Sequence, residues 1–484
     1  MTKPYEGKKY IHFDYKVGFN KEVESYVKGF KNNPNHNFLP LIYSVMSLEK
    51  YIDMTTENKD EYVYRINNAG EKTRIPIKEK KRPIMYASHR DNFIYKHYGL
   101  ELNELYNNYL QKNKFVDASV AYRTNKNGQC NIHFSAEVIN FIKENENCYV
   151  YIGDFSSFFD TLDHQYLKKM ISNLYYDNRI PEHQYKIYRS LTKYSYIDRR
   201  DINFYTSKKN GKYKTGKYRF FHSMKEFRQF KIEPTIVNSY SNKKNGTVLK
   251  KNREPFGIPQ GTAISAIYSN IYMMDIDKYI HQEITKYSGI YRRYSDDYII
   301  VLPNITEEKF NVLKKDIESR MRKTAKLTIH PQKTQVMKYQ NNQLVDLKTQ
   351  KVDSLDYLGF AFDGKKVKLR EKSIYKYYRG AYELIKRGVV ISKKKGHVQK
   401  NARLTYKRKV YQKYHLFGER TDIKYSYKKR RYGTFITYVF KSQRVFDDLS
   451  PRTTNMMSSQ IKSHQKKIAK RIFEAEHYLK NFGK

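Results

Sequence analysis

A strand that ends on an aspartate and a hairpin with two more at its tip constrain this chain more than any other feature. The strand is Cys148-Tyr149-Val150-Tyr151-Ile152-Gly153-Asp154. It reads as a buried strand that delivers Asp154 where the chain leaves a sheet. The hairpin is Tyr294-Ser295-Asp296-Asp297, followed by Tyr298-Ile299-Ile300-Val301-Leu302. Apolar strands flank a tight turn with paired acids. Adjacent carboxylates repel and desolvate badly, so their position between strands favours occupation by metal ions. An Asp-Asp pair alone is most often a surface turn. A strand-borne Asp154 with a Tyr-x-Asp-Asp hairpin 142 residues later (154 to 296) is far more specific.

Phosphoryl transfer needs such a set. Two metal ions about 3.5–4 Å apart activate an attacking 3′-hydroxyl and stabilise the leaving pyrophosphate. Hard Mg²⁺ takes oxygen ligands and keeps several waters, so few carboxylates suffice. Asp154 and Asp296 are the natural bridging pair, with Asp297 a weaker ligand or a supporting group. Between them lies Phe256-Gly257-Ile258-Pro259-Gln260-Gly261-Thr262-Ala263-Ile264-Ser265-Ala266. It reads as a loop opening a helix that runs on to Ile276. Gly261 and Ser265 leave a shallow face for a templating base or an incoming sugar; the plainer reading is a tight loop before a core helix.

Charge points to the partner. Lys and Arg number 94 against 49 Asp and Glu, a formal net charge of +45. A surface that basic repels itself unless a polyanion covers it, and nucleic acid is the default polyanion. A ribosomal or scaffold protein would share that number, so charge alone does not indicate catalysis. The 48 tyrosines and absence of Trp fit either A/T-rich coding or selection for base stacking. The two cysteines, Cys130 and Cys148, are too few for a multi-cysteine zinc site. The opening MTKPYEGKKYIHFDYK has no apolar signal-peptide core, and no run approaches the ~20 apolar residues of a membrane span. A soluble, cytoplasmic protein with no membrane partner is expected.

Residues 1–60 read as a helical extension, with FNKEVESYVKGF and LPLIYSVMSLEKYI at helical spacing, before a polar break at 55–62. Short strands are expected over 62–87 and a helix from Arg90 to Lys112. The basic stretch from about 190 to 252 reads as inserted loops and hairpins, either a solvated insertion or a nucleic-acid clamp. Residues 371–484 hold 30 Lys and Arg against 8 Asp and Glu. Segments such as SIYKYYRGAYELIKRG and QIKSHQKKIAKRIFEAEHYLK read as basic helices suited to a duplex or a structured RNA.

These segments together resemble the reverse transcriptases of the group II intron and retron type, whose palm carries a D-x-x-x-F-F-D strand end, a G-I-P-Q-G loop-helix and a Y-x-D-D hairpin in this order. The likeness spans roughly residues 80–365. Ile329-His330-Pro331-Gln332-Lys333-Thr334 resembles the family's N-P-x-K-T segment, with His330 in place of Asn. Leu355-Asp356-Tyr357-Leu358-Gly359-Phe360 resembles its primer-grip turn. Arg82-Pro83-Ile84 with Arg90-Asp91, and Ala121-Tyr122-Arg123, resemble its fingers motifs. Ala266 stands where the family usually has Pro.

The resemblance implies an α+β right-hand polymerase fold: fingers at 61–147, a palm with an antiparallel sheet at 148–365 and a basic helical thumb at 366–484, after the extension at 1–60. It implies catalytic Asp154, Asp296 and Asp297, with Phe155 beside them at a site for two Mg²⁺ ions, or Mn²⁺. Phe159 takes the steric-gate position, where a bulky ring collides with a 2′-hydroxyl. Lys81, Arg82, Arg123, Gln260, Gly261 and Lys333 would handle the nucleotide, with Lys333 a proton donor to pyrophosphate. Tyr357, Leu358 and Gly359 would grip the primer. The chain carries no Cys/His endonuclease module and no N-A-x-x-H or V-T-G segment of retron enzymes. It looks most like the stand-alone bacterial reverse transcriptases of phage defence, which implies a dedicated noncoding RNA, dNTP substrates, a DNA product and, in some members, homo-oligomers. An intron maturase-like RNA binder, a catalytically dead scaffold and a protein-primed or template-independent DNA polymerase are the alternatives.

Overall fold

The computed structural model describes residues 8, 10–51, 63–66, 72–75, 77–126, 128–210, 219–232, 247–414 and 434–483. The polar break at 55–62 and part of the basic stretch (211–218 and 233–246) lie mostly or wholly outside them. Two compact units divide the chain. The first comprises Met1–Asn127, Ile152–Ile300 and Thr306–Thr334; the second comprises Gly128–Tyr151, Val301–Ile305 and Gln335–Lys484. Both mix helices with sheets, the α+β class expected.

In the first unit, helix Lys21–Gly29 is opened by Asn20, whose side chain accepts from the Val23 N–H. LPLIYSVMSLEKYI is not the expected helix: Leu41–Tyr51 is a strand, β1. After the small hairpin of β2 (Val63–Ile66) and β3 (Lys72–Ile75) comes β4 (Ile77–Tyr86), antiparallel to β1 from Ile42↔Tyr86 to Tyr51↔Ile77. Ten consecutive backbone pairs with a distant strand override a local spacing that fits a helix equally well. Helix His89–Lys112 follows as expected, with Phe93, Ile94, Tyr95, Tyr98, Leu102, Tyr106 and Leu110 almost fully buried. Strand β5 (Cys148–Asp154) is buried at every position.

The stretch expected to be loops and hairpins is largely helical where described. Helices Glu182–Thr192, Arg199–Asn210 and Met224–Lys231 surround β6 (Ser195–Asp198). Phe220, Phe221, Phe227 and Phe230 join Phe13, Ile42, Tyr205 and Val248 in one aromatic-rich core. Phe227 and Phe230 lie three apart and share a helix face, a pattern masked by the lysines around them. β6 runs parallel to β1, and β7 (Lys250–Lys251) completes the sheet in the order β4-β1-β6-β7. The helix expected through Ile276 is two, Ser265–Tyr272 and Met274–Thr285, with Met273 between. The hairpin of β8 (Ile290–Tyr294) and β9 (Asp297–Leu302) follows, with β9 lying between β5 and β8.

In the second unit, β10 (Gln335–Gln340) flanks the start of β5, with β11 (Gln343–Asp346) and β12 (Lys351–Val352) antiparallel beyond it. A meander of β13 (Leu355–Tyr357), β14 (Phe360–Phe362) and β15 (Lys366–Leu369) is extended by β16 (Thr454–Asn455). The two expected basic helices form as Glu371–Lys394 and His464–Lys480, packed through Tyr378, Ala381, Ile385, Ile468, Ile472 and Leu479. Among the described residues, no helix is long and apolar enough to cross a membrane.

Candidate active site

β5 and β9 are hydrogen-bonded neighbours, and the Tyr298 side chain on β9 lies directly over Gly153 on β5. A Cβ there would lie 2.8 Å from Cε1 of Tyr298 and nearer still to its Cζ and hydroxyl. Glycine at this position makes room for the Tyr298 ring beside the end of the strand that carries Asp154. Asp154 is 7 % exposed and Asp296 half-buried. The two carboxyls are close enough to interact: burial first, then the Asp154 charge, holds the Asp296 carboxyl above the usual carboxylate range. The strand end and the hairpin tip thus meet as the sequence predicts.

Asp297 does not complete a three-carboxylate cluster. It opens β9 exposed, whereas Tyr298 after it is fully buried, as alternating sides of a strand require. Among the described residues, no group of three or more His, Cys, Asp or Glu is placed to hold a metal ion. The Asp154–Asp296 pair nevertheless fits a hard cation. Oδ1 of Asp154 is buried without a hydrogen-bond partner among the described residues. Two mutually repelling carboxylates with an orphaned oxygen make an all-oxygen donor set that lacks positive charge. Lys333 supplies one charge by pairing with Oδ2 of Asp154. It sits on the short turn Pro331–Lys333, positioned by the His330 N–H bonding the Asp154 carbonyl at 2.8 Å. The bridge between Phe155 and Ile329 uses the Asp154 carbonyl and the Ser156 N–H, not the Phe155 carbonyl. The Phe155 ring is buried against Phe158 and Tyr298.

The Gly-Ile-Pro-Gln-Gly loop is fastened to the same floor. The Ile258 N–H bonds the Phe159 carbonyl, and the Gly257 N–H bonds the Leu162 carbonyl, both at 2.9 Å. Phe159, at the expected gate position, is half-buried with its ring edge-on to Phe158 at 5.7 Å. The Gln260 carbonyl accepts from the Met85 N–H at 2.8 Å, and Gly261 adopts φ +119°, where a Cβ would meet the Met85 carbonyl oxygen at 2.7 Å. Gly261 is exposed. Ser265 does not share that face: it is buried, and its hydroxyl donates to the Pro259 carbonyl at 2.6 Å.

The cationic positions divide. Lys81 and Arg82 are exposed on β4, paired in register with Ser47 and Met46. Arg123 is 8 % exposed, donating to Asn107 at 2.8 Å, to the Ser119 carbonyl at 3.0 Å and to the Val116 carbonyl. Burial lowers its pKa, and only Nη2 is left without a partner among the described residues. Its guanidinium is thus committed mainly to the loop 116–123. In the second unit, the turn expected to grip a primer joins β13 to β14 with Leu358 at φ 45° and Gly359 at φ 101°. Asn131 donates to the Leu358 carbonyl at 2.9 Å, Ser135 to the Tyr357 carbonyl at 3.3 Å, and the Tyr357 ring is buried.

Sequence reasoning missed Arg293 and Asp277. They form a fully buried ion pair at 2.6 Å beneath the hairpin turn. Arg293 lies one residue before the motif Tyr294-Ser295-Asp296-Asp297, and strand alternation, which puts it on the same face as Tyr291, was the available signal.

Comparison with known proteins bears on this site. Residues 219–362 match the family described as reverse transcriptase (RNA-dependent DNA polymerase). The match includes the Gly-Ile-Pro-Gln-Gly loop and the Asp296 hairpin and covers under a third of the chain. No curated protein matches the sequence. Among solved structures, apo telomerase from Candida tropicalis, truncated from its C-terminal domain, is similar at 12 % identity over 72 % of this chain and 59 % of its own, with a TM-score of 0.36. Full apo telomerase from that species gives 13 % identity, 72 % and 52 % coverage and 0.34. Telomerase from Candida albicans with a TWJ fragment of telomeric RNA gives 13 % identity, 83 % and 62 % coverage and 0.40. The chain therefore spans between half and two thirds of these telomerase chains. Residues 219–362 therefore resemble a reverse transcriptase (RNA-dependent DNA polymerase) domain.

Proposed function

We propose that this chain adds deoxynucleotides to a primer 3′-hydroxyl, copying RNA, in a right-hand polymerase whose fingers, palm and thumb run over 61–147, 148–365 and 366–484. The observation that carries the proposal is the meeting of Asp154 and Asp296 at the end of adjoining strands, with a buried carboxylate oxygen left unpaired. These two side chains would hold the divalent ions, Mg²⁺ or Mn²⁺, with Asp297 and Phe155 as lesser contributors. When bound, such ions supply activation of the attacking hydroxyl and neutralise charge on the leaving pyrophosphate.

The chain's own residues prepare the rest. Lys333, held at Asp154, stands where it can pass a proton to departing pyrophosphate once its carboxylate is otherwise neutralised. Phe159 borders the loop that carries Gly261, so a ring there can exclude a 2′-hydroxyl. Lys81 and Arg82, both exposed, are available to a triphosphate. The charge of +45 supports nucleic-acid partners, namely an RNA template and the DNA product. The sequence resemblance supports the finer reading: a stand-alone bacterial enzyme, cytoplasmic, working on a dedicated noncoding RNA in phage defence, homo-oligomeric in some relatives.

Primer extension on an RNA template tests this. Asp296→Ala is expected to abolish DNA synthesis while leaving the melting curve and RNA binding near wild type. Extension retained by that variant would defeat the assignment.

A further inference from the structure

The turn that presents Asp296 is also held from outside it. Ser295 sits at φ 63°, a left-handed conformation without glycine's freedom. Two residues earlier, Arg293 is fully buried, and its guanidinium is shared among three groups. Nε and Nη2 form a fork on Asp277 at 2.8 and 2.6 Å; Nη1 donates to the Ser295 carbonyl at 2.9 Å and to Asn270 Oδ1 at 3.2 Å. Asp277 is itself fully buried and accepts from the Tyr291 hydroxyl at 2.7 Å. The backbone of Arg293 is also pinned, by the Ala118 carbonyl at 2.7 Å and the Val120 N–H at 2.9 Å. Asn270 continues the network to the Ala121 carbonyl at 2.8 Å.

A fully buried ion pair is a poor device for stability alone, because its desolvation cost offsets most of its attraction and an apolar pair of like volume serves as well. A forked guanidinium does fix direction. Here the donor left over from the fork reaches the carbonyl of Ser295, the residue that aims Asp296. We infer that Arg293 is a positioning residue, braced by Asp277, that holds the Tyr-Ser-Asp-Asp turn so that Asp296 faces Asp154 as a preformed cation site. The inference rests on the proposed polymerase reading for its catalytic consequence, but its geometric content can be tested without turnover.

Arg293→Lys retains the charge and loses the fork; Asp277→Asn retains the partner's shape and weakens the pair. Mn²⁺ binding to each folded protein, measured by electron paramagnetic resonance without nucleotide or primer, is compared with wild type. An Asp154→Asn/Asp296→Asn control identifies the signal that belongs to this site. Mn²⁺ affinity is expected to fall at least 10-fold in Arg293→Lys and less in Asp277→Asn. In primer extension, kcat should fall at least 10-fold with KM for the deoxynucleotide within about twofold, well below the melting temperature. A merely structural pair predicts losses that track thermal stability and leave Mn²⁺ affinity of the folded protein unchanged; that result would overturn the inference, as would wild-type behaviour of both variants. Failure to fold in both would equally overturn it, since the pair would then be a stability element. If wild type makes no DNA yet Arg293→Lys still weakens Mn²⁺ binding, the polymerase reading falls and the positioning role stands.

Discussion

Gly153→Ala is the sharpest perturbation of the site, because one methyl group is added where two strands touch. The new Cβ would lie 2.8 Å from Cε1 of Tyr298, and closer to Cζ and the hydroxyl. Carbon atoms pack best at about 3.5–4.0 Å, so with Cζ nearer than Cε1 the ring or the strand must yield by more than an ångström. Tyr298 is fully buried and packs against Phe155 with ring centroids 5.4 Å apart, so it has little room to turn. Overpacking of this kind costs about 1–3 kcal/mol, which for a unit of this size lowers the melting temperature by a few degrees. The larger effect is on chemistry: the residue displaced with Gly153 is Asp154, and a misplacement of about 1 Å can cost 10²-fold in rate. Thermal melting and primer extension at saturating Mg²⁺ read the two effects separately. Tyr298→Leu removes the outer ring atoms, so the double variant should recover about 0.5–3 kcal/mol relative to the sum of the single changes. A Gly153→Ala protein with wild-type melting and wild-type extension, or strictly additive single changes, would refute the close contact of Tyr298 with Gly153.

Phe159→Ala should admit ribonucleotides, and the ratio of dNTP to rNTP incorporation in a primer assay checks it; an unchanged ratio removes the gate. His12 gives a pH effect on stability. Its ring is fully buried, and burial pushes its pKa down to about 3 from an ordinary 6.5. The unfolded chain binds the proton first, so the stabilisation is complete above about pH 6.5 and is lost as pH falls toward 3, by at most ~1.4 kcal/mol per pH unit. Urea unfolding between pH 4.5 and 7.5 should show a shallower acid loss in His12→Gln than in wild type, and equal slopes would count against the buried neutral ring.

The elements that carry the candidate site were legible in the sequence because they are local. An apolar run ending on Asp154, a loop punctuated by Gly257, Pro259 and Gly261, and a hairpin tipped by Asp296 each announce their backbone through a few consecutive residues. So did the amphipathic basic helices Glu371–Lys394 and His464–Lys480, whose apolar positions recur at helical spacing. What the sequence could not decide is non-local. β1 became a strand because β4 offered ten backbone partners, not because of its own composition. The phenylalanines of the basic stretch became a core only when Phe13 and Ile42, far earlier in the chain, met them. The tertiary structure also decided which acids come together. Pairing Asp154 with Asp296, exposing Asp297, and burying Arg123 and the Arg293–Asp277 pair all depend on strand alternation and on neighbours remote in the chain. One-dimensional spacing carries the type of each element, while burial and charge balance arise from surfaces that exist only after those elements pack.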